Sequence, residues 1–537
     1  MKMKRWLLCV GLSLALPCGS GLLADEGRQH TEATEKLGTV SFLMSCSPQE
    51  QESVERGIAL LHSFWFDEAL KQFEEAVQND PNCAIAYWAE AIGLYRPLAY
   101  RPSDSDMKQG WTLIQKAQAL HAKTLRERDY IDALAVFYRS DSRDYETRNR
   151  EYSEAMEKIH RQYPADDEAA VFYALSLLTW GPDKDHPLIN PKKAIEILNR
   201  EFEKNPNHPG VAHYLIHAAD SPQLAPLGLA AARRYAQIAP AAPHALHMPS
   251  HIFARLGLWQ DDIQSNLAAL AAARHPMSMH VGAENQVHAM EFLEYAYLQI
   301  GADQRAEQMV REQAAIGYDQ VDKNLVDYLD RTRANSPAMY FLEMRHWKEA
   351  ADLKPDLQAQ PYNQAVTYWA RAVAAGHLRN PAAARQAVRQ FDAMVEATKH
   401  GPHVFRAEYM TVKHDEAAAW LAFAEDRNDE APKLLRAVAE KQDREGKGEV
   451  ELPAREMLAD MLLEMGRSED ALTEYERSLK TDPNRFNGLF GAAKAAEIAH
   501  HAETATRYYA LLLQNCANGA NSDRPELAHA KSLVAEK

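Results

Sequence analysis

Apolar positions along this chain recur with the period of a helix rather than the alternation of a strand. In FDEALKQFEEAVQNDPNCAIAYW (Phe66 to Trp88) a small residue, an aromatic and a second small residue share one face, and Asp80 and Pro81 close the segment. RSEDALTEYERSLKTDPNRF, near the other end, repeats the pattern with Ala471, Tyr475 and Pro483. Weaker copies stand in LGLWQDDIQSNLAAL, IGADQRAEQMV, RHWKEAADL and DRNDEAPKLLRAVAE. Counted against the length, they predict on the order of a dozen helical hairpins. YRPLAYRPSD and WGPDKDHPLINP read as longer links between hairpins. No Gly-rich or low-complexity stretch divides the chain, so the pattern predicts one continuous array with room for a bend between its halves.

Composition agrees with an all-α protein. Ala, Leu, Glu and Arg dominate, β-branched residues are sparse, and 537 residues are too many for one ordinary core. The repeated small, aromatic and small residues ahead of Pro81 and Pro483 resemble the tetratricopeptide repeat, whose period is 34 residues. The resemblance implies a right-handed α-solenoid of stacked helical hairpins. It also implies that the first helix of each hairpin lines a concave wall, with its second, fifth, ninth, twelfth and thirteenth positions facing the groove.

The first residues, MKMKRWLLCVGLSLALPCGSGLLADEG, have a basic start, a short apolar run and small or apolar residues before Asp25. This pattern predicts a secretory signal over 1–24, cut after Ala24, with export across the inner membrane to the periplasm. Lipidation of Cys18 is the alternative, and Pro17 disfavours it. Loss of Lys2, Lys4 and Arg5, three positive charges, takes the formal charge from −16 to −19, which argues against nucleic acid as a partner. No later segment reaches about 18 uninterrupted apolar residues, so no membrane span is expected. The rest divides into an N-terminal segment (25–49), N-terminal hairpins (50–205), a His-rich central region (206–320) and C-terminal hairpins (321–537). Export permits disulfides. Cys46 and Cys83 flank one predicted hairpin and are placed to pair, while Cys516 reads as a buried free thiol.

The central region carries the candidate chemistry. His213 and His217 in HYLIH are followed thirty-four residues later by His247 and His251 in HMPSH. With a hairpin starting at Pro209, His213, His217 and Asp220 take its fifth, ninth and twelfth positions. With Gly257 in the turn, the next starts at Pro243 and puts His244, His247 and His251 at its second, fifth and ninth. With Gly301 in the turn, the third starts near Val287 and puts His288, Glu291 and Tyr295 at the same three positions. All nine side chains are expected to face one groove. Among 22 histidines about one i,i+4 pair arises by chance, so two pairs in successive repeats at the same positions point to a site.

Six crowded imidazoles suppress one another's protonation, and buried neutral rings need partners. A metal ion supplies one, because an i,i+4 pair holds its nitrogens a helical turn apart. Imidazoles without thiolate suit copper or zinc, or iron, rather than magnesium or calcium. HExxH is absent. Six histidines suffice for two ions with three each, a ligand number like that of coupled dicopper centres on other folds. Asp220 and Glu291 are either ligands or acceptors that orient the rings. A network of neutral histidines and carboxylates without metal is the competing reading. Pro249, between His247 and His251, predicts a kink that tilts His244 and His247 away from His251. His62 falls on a groove position of a repeat far along the array and reads as structural. No role is assigned to His400, His403, His414, His500 or His501. There is no P-loop, GxGxxG, GxSxG or CxxC, so any catalysis falls to the metal.

AHYLIHAAD, APHALHMPSHIFARLGLW, VHAMEFLEYAYLQIG and LPAREMLADMLLEMGR, with SCS, LLHSFWFDEA and DPNCAIAYW earlier, resemble a bacterial family of exported tetratricopeptide-repeat proteins for which no reaction is established. Two functions follow. One is an exported metalloprotein that acts on a small-molecule substrate or stores metal. The other is a scaffold whose groove grips a peptide, protein or polymer.

Overall fold

The protein is described by a computed structural model that covers residues 36–98, 101–180, 187–274, 279–321, 325–401, 403–404, 406–519 and 522–535, with backbone alone at 279–281 and 535. The predicted leader, Cys18 and the first part of the 25–49 segment lie outside these residues, as do parts of both long links.

Helices account for about three-quarters of the described chain, and no strand occurs among the described residues. Successive helices pair as antiparallel hairpins, about a dozen of them, in an all-α solenoid of the expected repeat. The spacing rule holds at the packing level. Phe73 and Tyr475, the aromatic residues of the repeat, are fully buried, and small residues face them, as at Gly57 and Gly491. Helix starts follow local chemistry. Ser103 and Thr124 form capping boxes with Asp106 and Glu127, and proline opens the helices Pro209–Ala219 and Pro243–His247. Gly257 and Gly301 take left-handed φ values of 63° and 71° in the turns expected of them.

The array curls into two closed turns, each with its own apolar core. The first core runs from Leu37 to Phe253 and the second from Ala254 to Ala530. The first turn closes where helix Pro48–His62 meets helix Pro209–Ala219. Gly210 lies against the His62 ring, and a Cβ there would come within 2.8 Å of it. The second closes where Trp259 Nε1 donates to the Asn484 carbonyl (2.7 Å) and the Phe486 amide donates to Gln299 (3.0 Å). Residues 36–47, which lack regular structure until the cap of the first helix, pack on the first helices of successive hairpins. Phe42 stacks on Trp88 at 5.2 Å, and the Thr39 amide donates to the Asn207 carbonyl (3.0 Å).

Cys46 and Cys83 form a disulfide, and Cys516 is a buried free thiol whose burial pushes its pKa up to about 12. The disulfide joins residues 37 apart in sequence. Replacing both cysteines by serine is expected to remove about 2–4 kcal/mol by freeing the unfolded chain, read as a lower melting temperature that added reductant no longer changes. No helix among the described residues is long and apolar enough to cross a membrane.

Candidate metal centre

The histidine-bearing helices lie where the two turns meet. Helix Pro209–Ala219 supplies His213 and His217, Pro243–His247 supplies His244 and His247, Pro249–Arg255 supplies His251, and Met279–Gln299 supplies His288. The six imidazoles form two groups of three, His213/His217/His244 and His247/His251/His288. Within each group one nitrogen per residue lies within 4.8 Å of the other two. His213 and His217 bring their Nε2 atoms to 3.0 Å, and His247 and His251 bring theirs to 3.1 Å.

Hydrogen bonds on the far side of four rings fix which nitrogen faces inward. His213 Nδ1 donates to the His62 carbonyl (2.6 Å) and His247 Nδ1 to Asn266 Oδ1 (2.7 Å). His251 Nδ1 donates to Asp220 (3.0 Å) and Glu449 (2.7 Å), and His288 Nδ1 to Glu291 (3.4 Å). These acceptors carry no proton to give back, so the Nδ1–H tautomer is set and each neutral ring keeps a lone pair on Nε2. Asn266 is itself oriented by donating to Asp262 (2.7 Å). His244 Nε2 is buried without a hydrogen-bond partner.

Electrostatics separates His251 from the rest. Burial, then repulsion from neighbouring imidazoles, holds His213, His217, His244 and His247 well below the usual imidazole range. Burial pushes His251 down too, but the Glu449 and Asp220 carboxylates outweigh it and raise the group to about 10. Asp220 also accepts from Arg255 Nε (2.9 Å), so two carboxylates, one imidazole and one guanidinium make a balanced buried cluster. Glu291 accepts from Tyr328 (2.8 Å) and Thr332 (3.1 Å). Its burial is outweighed by His288 and Arg331, which bring its carboxyl down to about 2.

The structure sorts the sequence expectations. All six histidines converge. Asp220 and Glu291 engage Nδ1 atoms, on the side away from the converging Nε2 atoms. Asp220 caps its helix rather than extending it. Tyr295 leaves the group, since its hydroxyl meets Arg485 and the Glu451 carbonyl in the second seam. The third helix starts at Met279, not near Val287. Pro249 breaks the helix, but His247 stays with His251, and His244 alone joins the other group. The expected open groove is filled here: His213 is 0% and His247 3% exposed, and Glu449 enters from a segment 198 residues beyond His251.

His62 is 151 residues from His213 along the chain but adjacent to it in space. Curvature brings it under the first group, where its carbonyl holds His213 and its ring joins Tyr214 (2.8 Å) and Glu168 (3.0 Å). Glu168 also accepts from His208 (2.7 Å), and His208 Nδ1 caps its helix, so this buried trio is satisfied as structure. Phe64, unnoticed in the sequence, packs its ring on His213 (4.4 Å), His244 (5.1 Å) and His217 (5.6 Å). Phe292 does the same for the second group, at 4.8 Å from His247, 4.9 Å from His251 and 5.5 Å from His288.

No protein-family model matches the chain, and no curated protein matches it. Among solved structures it is similar to a human IFIT1 dimer with PPP-AAAA, at 12% identity over 87% of this chain and 89% of that one, with a TM-score of 0.36. It is also similar to a tetratricopeptide repeat protein from Parabacteroides merdae, at 14% identity over 55% of this chain and 97% of that one, with a TM-score of 0.27. At this level the likeness concerns the repeat and not what either protein binds.

Proposed function

We propose that this protein is an exported metalloprotein in which His213, His217 and His244 hold one transition-metal ion and His247, His251 and His288 hold a second. The observation that carries the reading is the inward convergence of Nε2 lone pairs whose rings are fixed from behind at Nδ1. Metal-binding imidazoles are oriented in this way by carbonyls and carboxylates. The buried His244 Nε2 has no hydrogen-bond partner in the protein, and a cation would give it one. Without metal, His251 is an imidazolium whose Nε2–H points to His247 Nε2, and a metal ion takes the place of that proton. Donor chemistry selects copper or zinc, or iron. Asp220, Glu449 and Glu291 act as acceptors behind the rings. The Cys46–Cys83 disulfide supports an oxidising compartment, in line with the leader-like first residues. A scaffold that grips a peptide along the concave wall needs an open groove, and the Glu449 segment occupies it beside His251.

Elemental analysis of the protein, purified without a histidine tag or chelator, tests this directly. Two equivalents of metal per chain are expected, and none after reconstitution defeats the reading.

Acid supplies a second test. Protons and metal compete for the same lone pairs, and four of the imidazoles resist protonation well below 6.5. The ions therefore stay bound through pH 6.5 and leave as pH falls below about 5. His251 runs the other way and must lose a proton before it binds, so it favours release first from the second group. Full metal retention after dialysis at pH 4 would count decisively against imidazole ligation.

A further inference from the structure

We propose that the two three-histidine groups are one coupled dicopper centre and that its substrate is dioxygen. This rests on the metal reading above and names its metal and its chemistry.

The first ground is the donor set. Each group offers three imidazole nitrogens, that of His251 once it has given up its proton, and Asp220, Glu449 and Glu291 are all engaged at Nδ1, away from the converging Nε2 atoms. Di-iron sites in helical proteins use carboxylates as direct ligands and bridges. Asp220 and Glu449 make a further candidate cation group with His251, but no carboxylate belongs to either three-histidine group. Three imidazoles leave zinc one ligand short of its tetrahedron and in need of hydroxide or substrate. Three soft-to-borderline nitrogens suit copper(I), which is content with three ligands and has one electron to give.

The second ground is that the groups are adjacent. Ring centroids across the boundary lie 6.3 Å apart for His217 and His251 and 6.0 Å for His244 and His247. Inside the second group the separations run from 4.2 Å for His247 and His288 to 5.9 Å for His251 and His288. The two sets thus share one space rather than forming separate sites. A ligand touching both ions has to be short.

The third ground is the wall. Phe64 closes one side and Phe292 the other, each against all three imidazoles of its group, and His213 and His247 are buried. Aromatic walls beside partly buried imidazoles favour a small uncharged molecule, which pays little in desolvation. His288, 31% exposed at its side chain, marks the open side.

The step balances within the centre. Each copper(I) loses one electron and becomes copper(II), and dioxygen gains both, keeps its O–O bond and lies between the two ions. No proton or external reductant is consumed, and the reverse step returns the electrons and releases dioxygen.

The test uses the full protein loaded with two equivalents of copper(I) without air, followed by measured admission of dioxygen. Uptake of one dioxygen per two coppers, reversed under vacuum and accompanied by a near-ultraviolet band that the zinc-loaded protein lacks, is expected. His217→Ala, which breaks one group only, is expected to keep one copper and to lose at least nine-tenths of the uptake. Two bound coppers with no uptake overturn the dioxygen proposal and leave the metal reading intact. Uptake by the one-copper variant at full yield per copper overturns the coupling. Failure to bind any metal defeats the underlying reading first, so the two failures are separable.

Discussion

Replacing His217 and His288 together by alanine strips both ions from the protein and leaves it folded. The pair takes one imidazole from each group, and two remaining imidazoles do not make a tight site. Both are weakly tied into the fold. His217 hydrogen-bonds to His213, itself part of the site, and His288 is 31% exposed with a long contact of 3.4 Å to Glu291. His251 is a poorer choice. Alanine there leaves Asp220 and Glu449 buried against Arg255 alone, and an uncompensated buried charge is strongly destabilising. The measurement is metal content beside thermal melting of the metal-free proteins. Metal is expected to fall from two equivalents per chain to under about 0.2, while the metal-free melting temperature moves by only a few degrees, as for substitutions outside a core. Metal-loaded wild type should melt higher than either, because a ligand that binds only the folded state stabilises it. Retention of both equivalents by the double variant would place the ligands elsewhere and end the proposal.

What the sequence made legible follows local chemistry. Pro209 and Pro243 start helices because proline fits the first helical position, and Gly257 and Gly301 end turns because they tolerate positive φ. Those four residues suffice to put His213, His217, His244, His247 and His251 in register. The third helix started eight residues early because MHVGAENQ contains no residue that stops a helix, and its one glycine only weakens it. His288 survived that error, since its register was counted back from Gly301.

What stayed hidden depends on curvature summed over many hairpin interfaces. No single interface in the array announces that helix Pro48–His62 returns to helix Pro209–Ala219, and so neither the His62 carbonyl nor Phe64 had a signal in the sequence. Glu449 is the clearest case, since no spacing rule spans the distance from His251. Pro249 shows the opposite failure: a residue with a known local effect whose consequence was misjudged. It does end one helix and start another, but Met248 keeps helical dihedral angles (φ −51°, ψ −35°), so the kink does not swing His247 away from His251.

Replacing Arg485 by methionine is expected to cost about 3–5 kcal/mol of folding stability, because it leaves two buried carboxylates facing each other. Arg485 is 1% exposed and donates to both oxygens of Glu456 (2.9 and 2.8 Å) and to Glu343 (2.7 Å), which are 3% and 1% exposed. It also reaches Tyr295, one turn of helix from Glu291 and two from His288, so this cluster anchors the helix that carries the sixth histidine to the second seam. The loss has a pH signature with a definite sign. Burial already raises Glu456 above its usual range, with Arg485 opposing it. Without the guanidinium, the Glu456 carboxyl rises further above its unfolded value. Groups with a raised folded pKa favour the fold below the unfolded pKa and lose that contribution as pH climbs through the folded one. The variant should therefore be closer to wild type at pH 5 than at pH 8, as read by denaturant melts at both. Adding Glu343→Gln removes one of the stranded charges and should recover part of the loss at pH 8. A variant equally weakened at both pH values, and unaided by the second change, would mean that Arg485 supports the seam by packing rather than by charge.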